Sequence, residues 1–280
     1  MNDPGAEVVE RLVRFSLVTH DREVLADFYE RAFGFRRESA GRCPAASSYR
    51  TIVLGAEQVE LLQFDQPGDS YPAANTCADV DFQHFALVVT DIAAAYQRLH
   101  AVSGWTPISR GGPVQLPQSS GGVAAFKFRD PEGHPLELIE FPSGAVPPRW
   151  RTPHRDGRCL GIDHSAISVH DTARSVAFYR ALGLHEIQRT LNRGPEQERL
   201  DALGEVRVEV TALGFAASGP HLELLCYRSP RPAAGAEADD HAVAATRLVL
   251  EMKPPAPPST SLSAHALVDP DGHRLLMQAG

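Results

Sequence analysis

The feature that most limits what this chain can fold into is that it repeats itself. The segment from Thr19-His20-Asp21 to Asp27-Phe28-Tyr29-Glu30-Arg31-Ala32-Phe33-Gly34-Phe35 returns as Val169-His170-Asp171 to Ala177-Phe178-Tyr179-Arg180-Ala181-Leu182-Gly183-Leu184. In each copy an apolar strand leads to an Asp placed to cap a helix. Apolar residues at helical spacing, such as Val24, Leu25, Phe28 and Tyr29, predict a buried helix face, and Gly34 or Gly183 stands where the helix should end. One supersecondary unit is used twice.

A second kind of unit starts at Phe82. Thr90-Asp91 opens a helix over Ile92 to Leu99, and strands follow around Ala124 to Phe128 and Leu136 to Phe141. Between those strands lies Asp130-Pro131-Glu132-Gly133-His134, which returns as Asp269-Pro270-Asp271-Gly272-His273. Pro presets one dihedral of a tight turn and Gly tolerates the other, so His134 and His273 read most simply as turn residues. These signals give four units, starting near Leu12, Phe82, Gly161 and Ala245. The fourth is damaged: after Thr246 to Met252 comes Lys253-Pro254-Pro255-Ala256-Pro257-Pro258, which cannot be a helix interior. A Pro-rich stretch over 143–159 reads as a linker between a first domain, 10–142, and a second, 160–280. The modules within them span 12–66, 80–142, 160–228 and 241–280, the last lacking its helix. Ser229 to Asp240, rich in Pro, Ala and acids, reads as a flexible loop whose acidic end, Glu237 to Asp240, is solvated.

With 280 residues, 43% hydrophobic and 22% charged, the chain can bury a sizeable core. A net charge of -8 excludes the basic face that nucleic-acid modules need. The stretch Met1 to Glu7 lacks the features of a secretion signal, and no window approaches the length of a membrane span, so a cytoplasmic location is expected. Cys43, Cys77, Cys159 and Cys226 are far apart with no Cys-x-x-Cys pair, which fits reduced, incidental thiols.

A Glu inside a short apolar run appears three times, in Val59-Glu60-Leu61-Leu62, Leu136-Glu137-Leu138-Ile139 and Leu222-Glu223-Leu224-Leu225. Two of them follow strands carrying a His, Gln83-His84-Phe85 and Asp163-His164-Ser165. Imidazole and carboxylate at matched places in a repeated unit suit a borderline divalent cation. A lone Glu on an alternating strand usually faces solvent, and a lone strand His is usually hydrogen-bonded rather than a ligand; only the repetition gives these residues weight. Alternation places His164 on a face with Ala166 and Ser168, opposite Ile167 and Val169, and His84 with Ala86 and Val88, opposite Phe85, Leu87 and Val89. Phe28, Tyr29, Phe178 and Tyr179 read as core, and His20 and His170 as local to the helix caps.

These residues resemble the vicinal oxygen chelate superfamily, which takes in glyoxalases, bleomycin-resistance proteins and extradiol dioxygenases. The pieces that carry the resemblance are Asp163-His164 with Asp171 and Phe178-Tyr179, and Asp130-Pro131-Glu132-Gly133-His134 with Glu137. It implies an α+β fold of four βαβββ modules, the fourth truncated, forming two glyoxalase-like domains whose curved mixed sheets enclose a cavity. It also implies one metal ligand from the first strand of a module and another from its last. Carried over by position, the metal ligands are His84, Glu137, His164 and Glu223. Module one has Arg14 and Glu60 at those places, and module four has Ala245 or Thr246 and Leu276.

Fused glyoxalases of this superfamily can pair module one with four and module two with three, which here would gather His84, Glu137, His164 and Glu223 around one cavity and leave the other without metal. Pairing in sequence order would instead gather Arg14, Glu60, His84 and Glu137. The distribution of the His-Glu pairs favours the crossed arrangement, and both stay open. Arg14 is either a solvated strand residue or a fixed charge that binds an anionic substrate, with Glu60 as its partner.

The resemblance implies a divalent metal (Zn, Ni, Mn or Fe), a small-molecule substrate, no nucleic acid or membrane partner, and a monomer or homodimer. The reaction it implies is of the glyoxalase, isomerase or lyase type. A substrate with vicinal oxygens chelates the metal, an enediolate is stabilised, and Glu137 or Glu223 acts as catalytic base. One alternative is an Fe(II) extradiol-type dioxygenase using His84, His164 and Glu137. Another is a metal-free small-molecule binding or resistance protein.

Overall fold

The computed structural model describes residues 8–43, 46–66, 68–72, 75–153, 156–231, 239–253 and 265–280. Module one comprises β1 (Val9–Val18), α1 (Arg22–Phe33), β2 (Arg36–Cys43), β3 (Ala46–Leu54) and β4 (Glu57–Gln63). Module two comprises β5 (Gln83–Val89), α2 (Ile92–His100), the short β6 (Thr106–Pro107) and β7 (Val114–Gln115), β8 (Ala124–Arg129) and β9 (Pro135–Glu140). Module three comprises β10 (Cys159–Ser168), α3 (Thr172–Ala181), β11 (His185–Arg193), a further short helix α4 (Pro195–Asp201), β12 (Arg207–Gly214) and β13 (His221–Ser229). Module four contributes β14 (Arg247–Met252), β15 (His265–Val268) and β16 (Arg274–Ala279). The Pro-rich run that predicted a missing helix, and most of the Pro- and Ala-rich loop before β14, lie outside the described residues. Of that loop's acidic end, Asp239 and Asp240 are described and exposed, as expected, and Arg274 Nε lies 2.8 Å from the Asp240 carboxylate.

The strands form two mixed sheets, and each draws on both halves of the chain. One runs β15-β16-β14-β1-β4-β3-β2 and joins modules four and one. The other runs β11-β12-β13-β10-β5-β9-β8-β6, with β7 on β8, and joins modules three and two. The crossed pairing is therefore the one adopted. Its seams are antiparallel, β1 on β14 and β5 on β10. Phe85, Leu87, Val89, Ile167 and Val169 turn into the main core, as alternation predicts, which leaves the His84 and His164 face to line a cavity.

Each of α1, α2 and α3 starts at an Asp whose carboxylate accepts backbone N–H bonds of the first turn: Asp21, Asp91 and Asp171. Gly34, at φ 80°, closes α1 in the left-handed region. The α1 face that packs on the sheet is Leu25, Ala26, Phe28, Tyr29, Ala32 and Phe33; Val24, expected on it, is 58% exposed. Its place one residue ahead of Leu25 turns it about 100° away from the buried stripe.

The Asp-Pro-x-Gly-His segments do more than turn the chain. Asp130 accepts bonds from the Glu132 and His134 amides, the Tyr29 hydroxyl of α1 and His134 Nδ1, while His134 Nε2 donates to the Val18 carbonyl of β1. Asp269 takes the Tyr179 hydroxyl of α3, and His273 Nε2 donates to the Ser168 carbonyl of β10. His20 and His170 take part in the same contacts through Glu132 and Asp271. Sheet pairing thus joins modules one with four and two with three, while these clamps join one with two and three with four.

Both His134 ring nitrogens face acceptors, so the imidazolium is the form that satisfies them. Burial opposes that charge, but the Asp130 carboxylate outweighs it and raises the His134 pKa. A raised folded-state pKa gives stability that is fully present below the unfolded value of about 6.5 and is lost as pH rises through the folded value. The urea stability gap between wild type and His134→Gln is therefore expected to be wider at pH 6 than at pH 9. An equal gap at both would contradict the charged pair.

Candidate metal centre

The site is set by sheet register. Along one row of the second sheet, Glu223 on β13 stands opposite Ala166 on β10, which stands opposite His84 on β5. Along the next row of the same face, His164 on β10 stands opposite Ala86 on β5, which stands opposite Glu137 on β9. The two imidazoles are thus diagonal across the seam and each carboxylate flanks one of them. Ala86 and Ala166, both fully buried, form the floor between them. A larger side chain at either would fill the space the four residues surround.

His84, Glu137 and His164 are 2%, 6% and 4% exposed, and the Glu223 side chain is 22% exposed. His84 Nε2 lies 3.3 Å from Glu137 Oε2, and His164 Nε2 lies 3.6 Å from that oxygen and 3.7 Å from Glu223 Oε2. These separations are long for charge-assisted hydrogen bonds. Donor atoms bonded to one ion at about 2.1 Å stand about 3.0–3.4 Å apart at octahedral or tetrahedral angles, close to what is seen. His84 Nδ1 and His164 Nε2 are buried with no hydrogen-bond partner. Donor chemistry, spacing and the orphaned His164 Nε2 fit a divalent ion, the orphan on His84 being the ring nitrogen that does not contact Glu137, and His84, Glu137 and His164 form a buried group able to hold one.

The electrostatics follow from the same crowding. Burial alone would raise the Glu137 pKa, but contacts from His164 and His84 and the Lys127 charge hold it well below the usual carboxylate range. Burial lowers the pKa of His84. At His164 burial works against charge, yet the Glu223, Asp163 and Glu137 carboxylates raise it well above the ordinary imidazole value.

Further residues hold or border the cluster. Asp163 Oδ2 is 3.2 Å from His164 Nδ1 while its Oδ1 accepts the Trp150 indole N–H at 2.8 Å. A carboxylate there orients the ring and leaves Nε2 turned toward the Glu137 and Glu223 carboxylates. His221 Nε2 lies 3.4 Å from Glu223 Oε1. Lys127, opposite Glu137 on β8, is ion-paired with Asp201 of α4 at 2.7 Å, both side chains buried. All four candidate ligands line a cavity of ≈ 530 Å³.

The profile of the Glyoxalase/Bleomycin resistance protein/Dioxygenase superfamily matches residues 11–138 and 161–252, most of the chain. The chain belongs to that superfamily. Two solved structures illustrate the shared fold. Glyoxalase I from Zea mays superposes with a TM-score of 0.62 at 17% identity, over 96% of this chain and 92% of that one. A putative dioxygenase from Bacillus subtilis superposes with a TM-score of 0.59 at 12% identity, over 98% and 86% of the two chains. A search of curated proteins finds no match.

Within this superfamily member the other sheet carries a changed copy of the constellation. Its rows are Glu60-Ser16-Arg247 and Arg14-Val249-Leu276. The position in module four assigned from sequence to Ala245 or Thr246 is thus Arg247, because β14 begins at Arg247 and pairs it with Ser16. Both imidazole positions hold arginines. Glu60 accepts a hydrogen bond from Ser16 at 2.7 Å and pairs with Arg14 at 3.6 Å, as the sequence suggested for that pair. Built-in guanidinium charge stands where the second sheet gathers imidazoles. The structure therefore brings together His84, Glu137, His164 and Glu223 and leaves Arg14 in the other sheet.

Sequence reasoning assigned no role to Asp163, His221, Lys127, Asp201 or Gln197. His221 was within reach, two residues before Glu223 on the same face, and Lys127 is a cation set between Phe126 and Phe128 in a strand. Asp163 was not. A register shift between Ile162 and His164 breaks the alternation that would turn it away from His164.

No helix among the described residues is long and apolar enough to cross a membrane. Of the cysteines, Cys77, Cys159 and Cys226 are free.

Proposed function

We propose that the protein is a metal-dependent lyase or isomerase of the glyoxalase type, which holds a small substrate by two neighbouring oxygens and moves a proton beside a carbonyl. The observation that carries this reading is the convergence of His84, Glu137, His164 and Glu223 at ligand spacing on the wall of one cavity. A divalent ion bound there, Zn, Ni, Mn or Fe, supplies Lewis acidity toward the substrate oxygens. His84 and His164 present Nε2, and Asp163 fixes the His164 ring. Glu137, buried and held ionised by its neighbours, serves as a fixed anion. Glu223 is the more open carboxylate, with His221 steadying one oxygen, and it is the group that takes the substrate proton.

The test is deuterium exchange at the carbon beside the carbonyl of small α-hydroxy ketones, followed by NMR with metal-loaded protein. Exchange that falls about 10²–10⁴-fold in Glu223→Gln is expected. Absence of exchange across the series would contradict this chemistry.

A second reading has its own support. The three most buried ligands are two His and one Glu, the pattern that suits non-haem Fe(II), so oxygen uptake with catechols in place of exchange would indicate a dioxygenase. A protein that takes up no metal even on reconstitution would instead be a binding or resistance protein.

The orienting role of Asp163 gives a separate expectation. Asp163→Ala should weaken metal binding about 10–100-fold, as loss of an outer carboxylate partner does, measured by competition with a chelator. Unchanged affinity would remove Asp163 from the site.

A further inference from the structure

The wall of the cavity away from the His-Glu cluster is mostly apolar, with Val123, Ile139, Leu200, Val208, Val210 and Phe215 among its side chains. The Lys and Arg on the described wall are both committed. Lys127 is paired with Asp201, and Arg149 donates to the Gly219 and Ile162 carbonyls and lies over the Trp150 ring. Glu137, Asp163 and Glu223 border the same space. An anionic substrate tail would therefore meet apolar surface and carboxylates, which disfavours it.

Outside the His-Glu cluster two side-chain amide oxygens on this wall lack a partner, Asn192 Oδ1 on β11 and Gln197 Oε1, and Gln197 is the more buried residue of the two. Gln197 of α4 is 4% exposed and lines the cavity. Its Nε2 donates to Asp201 Oδ2 at 2.8 Å, and because an ionised carboxylate only accepts, that bond decides which end of the amide is oxygen. Asp201 is held in turn by Lys127 and by the Tyr227 hydroxyl at 3.0 Å. The amide is thus locked, and Gln197 Oε1 is buried with no hydrogen-bond partner. A buried acceptor left without a donor is destabilising, so its persistence calls for an explanation.

The placement of α4 supplies one. It lies between β11 and β12, where the matching strands of module one, β2 and β3, stay paired up to Cys43 and Ala46. It reaches across to module two, where Ser109 Oγ donates to the Leu200 carbonyl and the Arg110 amide to the Arg199 carbonyl, each at 2.8 Å. An addition to the repeated unit therefore delivers a fixed acceptor to the cavity.

We infer that Gln197 determines specificity: its Oε1 accepts a hydrogen bond from a hydroxyl or N–H group on the uncharged, otherwise apolar end of the substrate. This rests on the metal-dependent reading for the chelated end alone. The acceptor and the wall are independent of it.

The experiment is calorimetric titration of metal-loaded protein with three catechols bearing matched short 4-alkyl chains that end in methyl, hydroxyl or carboxylate. The hydroxyl compound is expected to bind about tenfold more tightly than the methyl compound, the value of one hydrogen bond to a buried acceptor, and the carboxylate compound most weakly. In Gln197→Met the preference for hydroxyl over methyl should vanish, and in the wild type the ¹⁵N-labelled Gln197 side-chain amide should shift with the hydroxyl compound only. Three results would each overturn the inference: no preference in the wild type, a preference that survives in Gln197→Met, or tightest binding by the carboxylate. Failure of all three compounds to bind would overturn it as well. Failure of the metal reading shows separately, as binding indifferent to added metal and to His84→Ala, with the hydroxyl preference still scoring Gln197.

Discussion

Protein carrying His164→Ala is expected to lose its divalent ion, with affinity reduced beyond the about 10–100-fold that follows loss of an outer-shell partner. The reason is position. His164 Nε2 lies within 3.7 Å of both the Glu137 and Glu223 carboxylates, and the ring is fixed from behind by Asp163. Its removal leaves two carboxylates and one imidazole around a wider gap. His84→Ala and Glu137→Ala should behave alike, whereas Arg14→Ala, in the other sheet and paired with Glu60, should leave metal binding unchanged. Metal content after dialysis, measured by mass spectrometry on folded protein, decides the matter. Full retention in His164→Ala, or loss in Arg14→Ala, would contradict the assignment.

Lys127→Ala is expected to cost about 3–5 kcal/mol of folding stability, the range for breaking a buried ion pair by removing one partner. Asp201 has no exposed side-chain surface, and Lys127 supplies the compensating charge at 2.7 Å. Without it the carboxylate keeps only the Tyr227 hydroxyl and the Gln197 amide. Burial works against the Lys127 charge, yet Asp201 outweighs it and raises the pKa. Urea unfolding at neutral pH measures the cost, and a loss below about 1 kcal/mol, the worth of an exposed pair, would show that α4 is not anchored by this contact.

The parts of this molecule that are local in sequence could be read from the sequence. Asp21 and Asp171 cap helices because capping needs only neighbours, and strand alternation put His84 and His164 opposite the core-facing Phe85 and Ile167. Pairing was harder, because β1 meets β14 and β5 meets β10 across long stretches of chain, and it was hinted at through the distribution of His-Glu pairs and the resemblance to fused glyoxalases rather than by any local pattern. The same long-range register hid Arg247. What lies at the imidazole position of module four depends on which residue of β14 faces Ser16, and no local pattern states that. Asp163 was concealed by a bulge and Gln197 by a seven-residue helix outside the repeat. His134 and His273 were legible as turn residues, but their bonds to β1 and β10 belong to tertiary structure.

The central claim, that two modules lend an imidazole and a carboxylate each to one ion, is tested most directly by anomalous diffraction from crystals of metal-reconstituted protein. The account predicts one strong peak within about 2.0–2.2 Å of His84 Nε2, His164 Nε2 and carboxylate oxygens of Glu137 and Glu223. Full metal incorporation with no peak among those four side chains, or with the ion elsewhere, would contradict it.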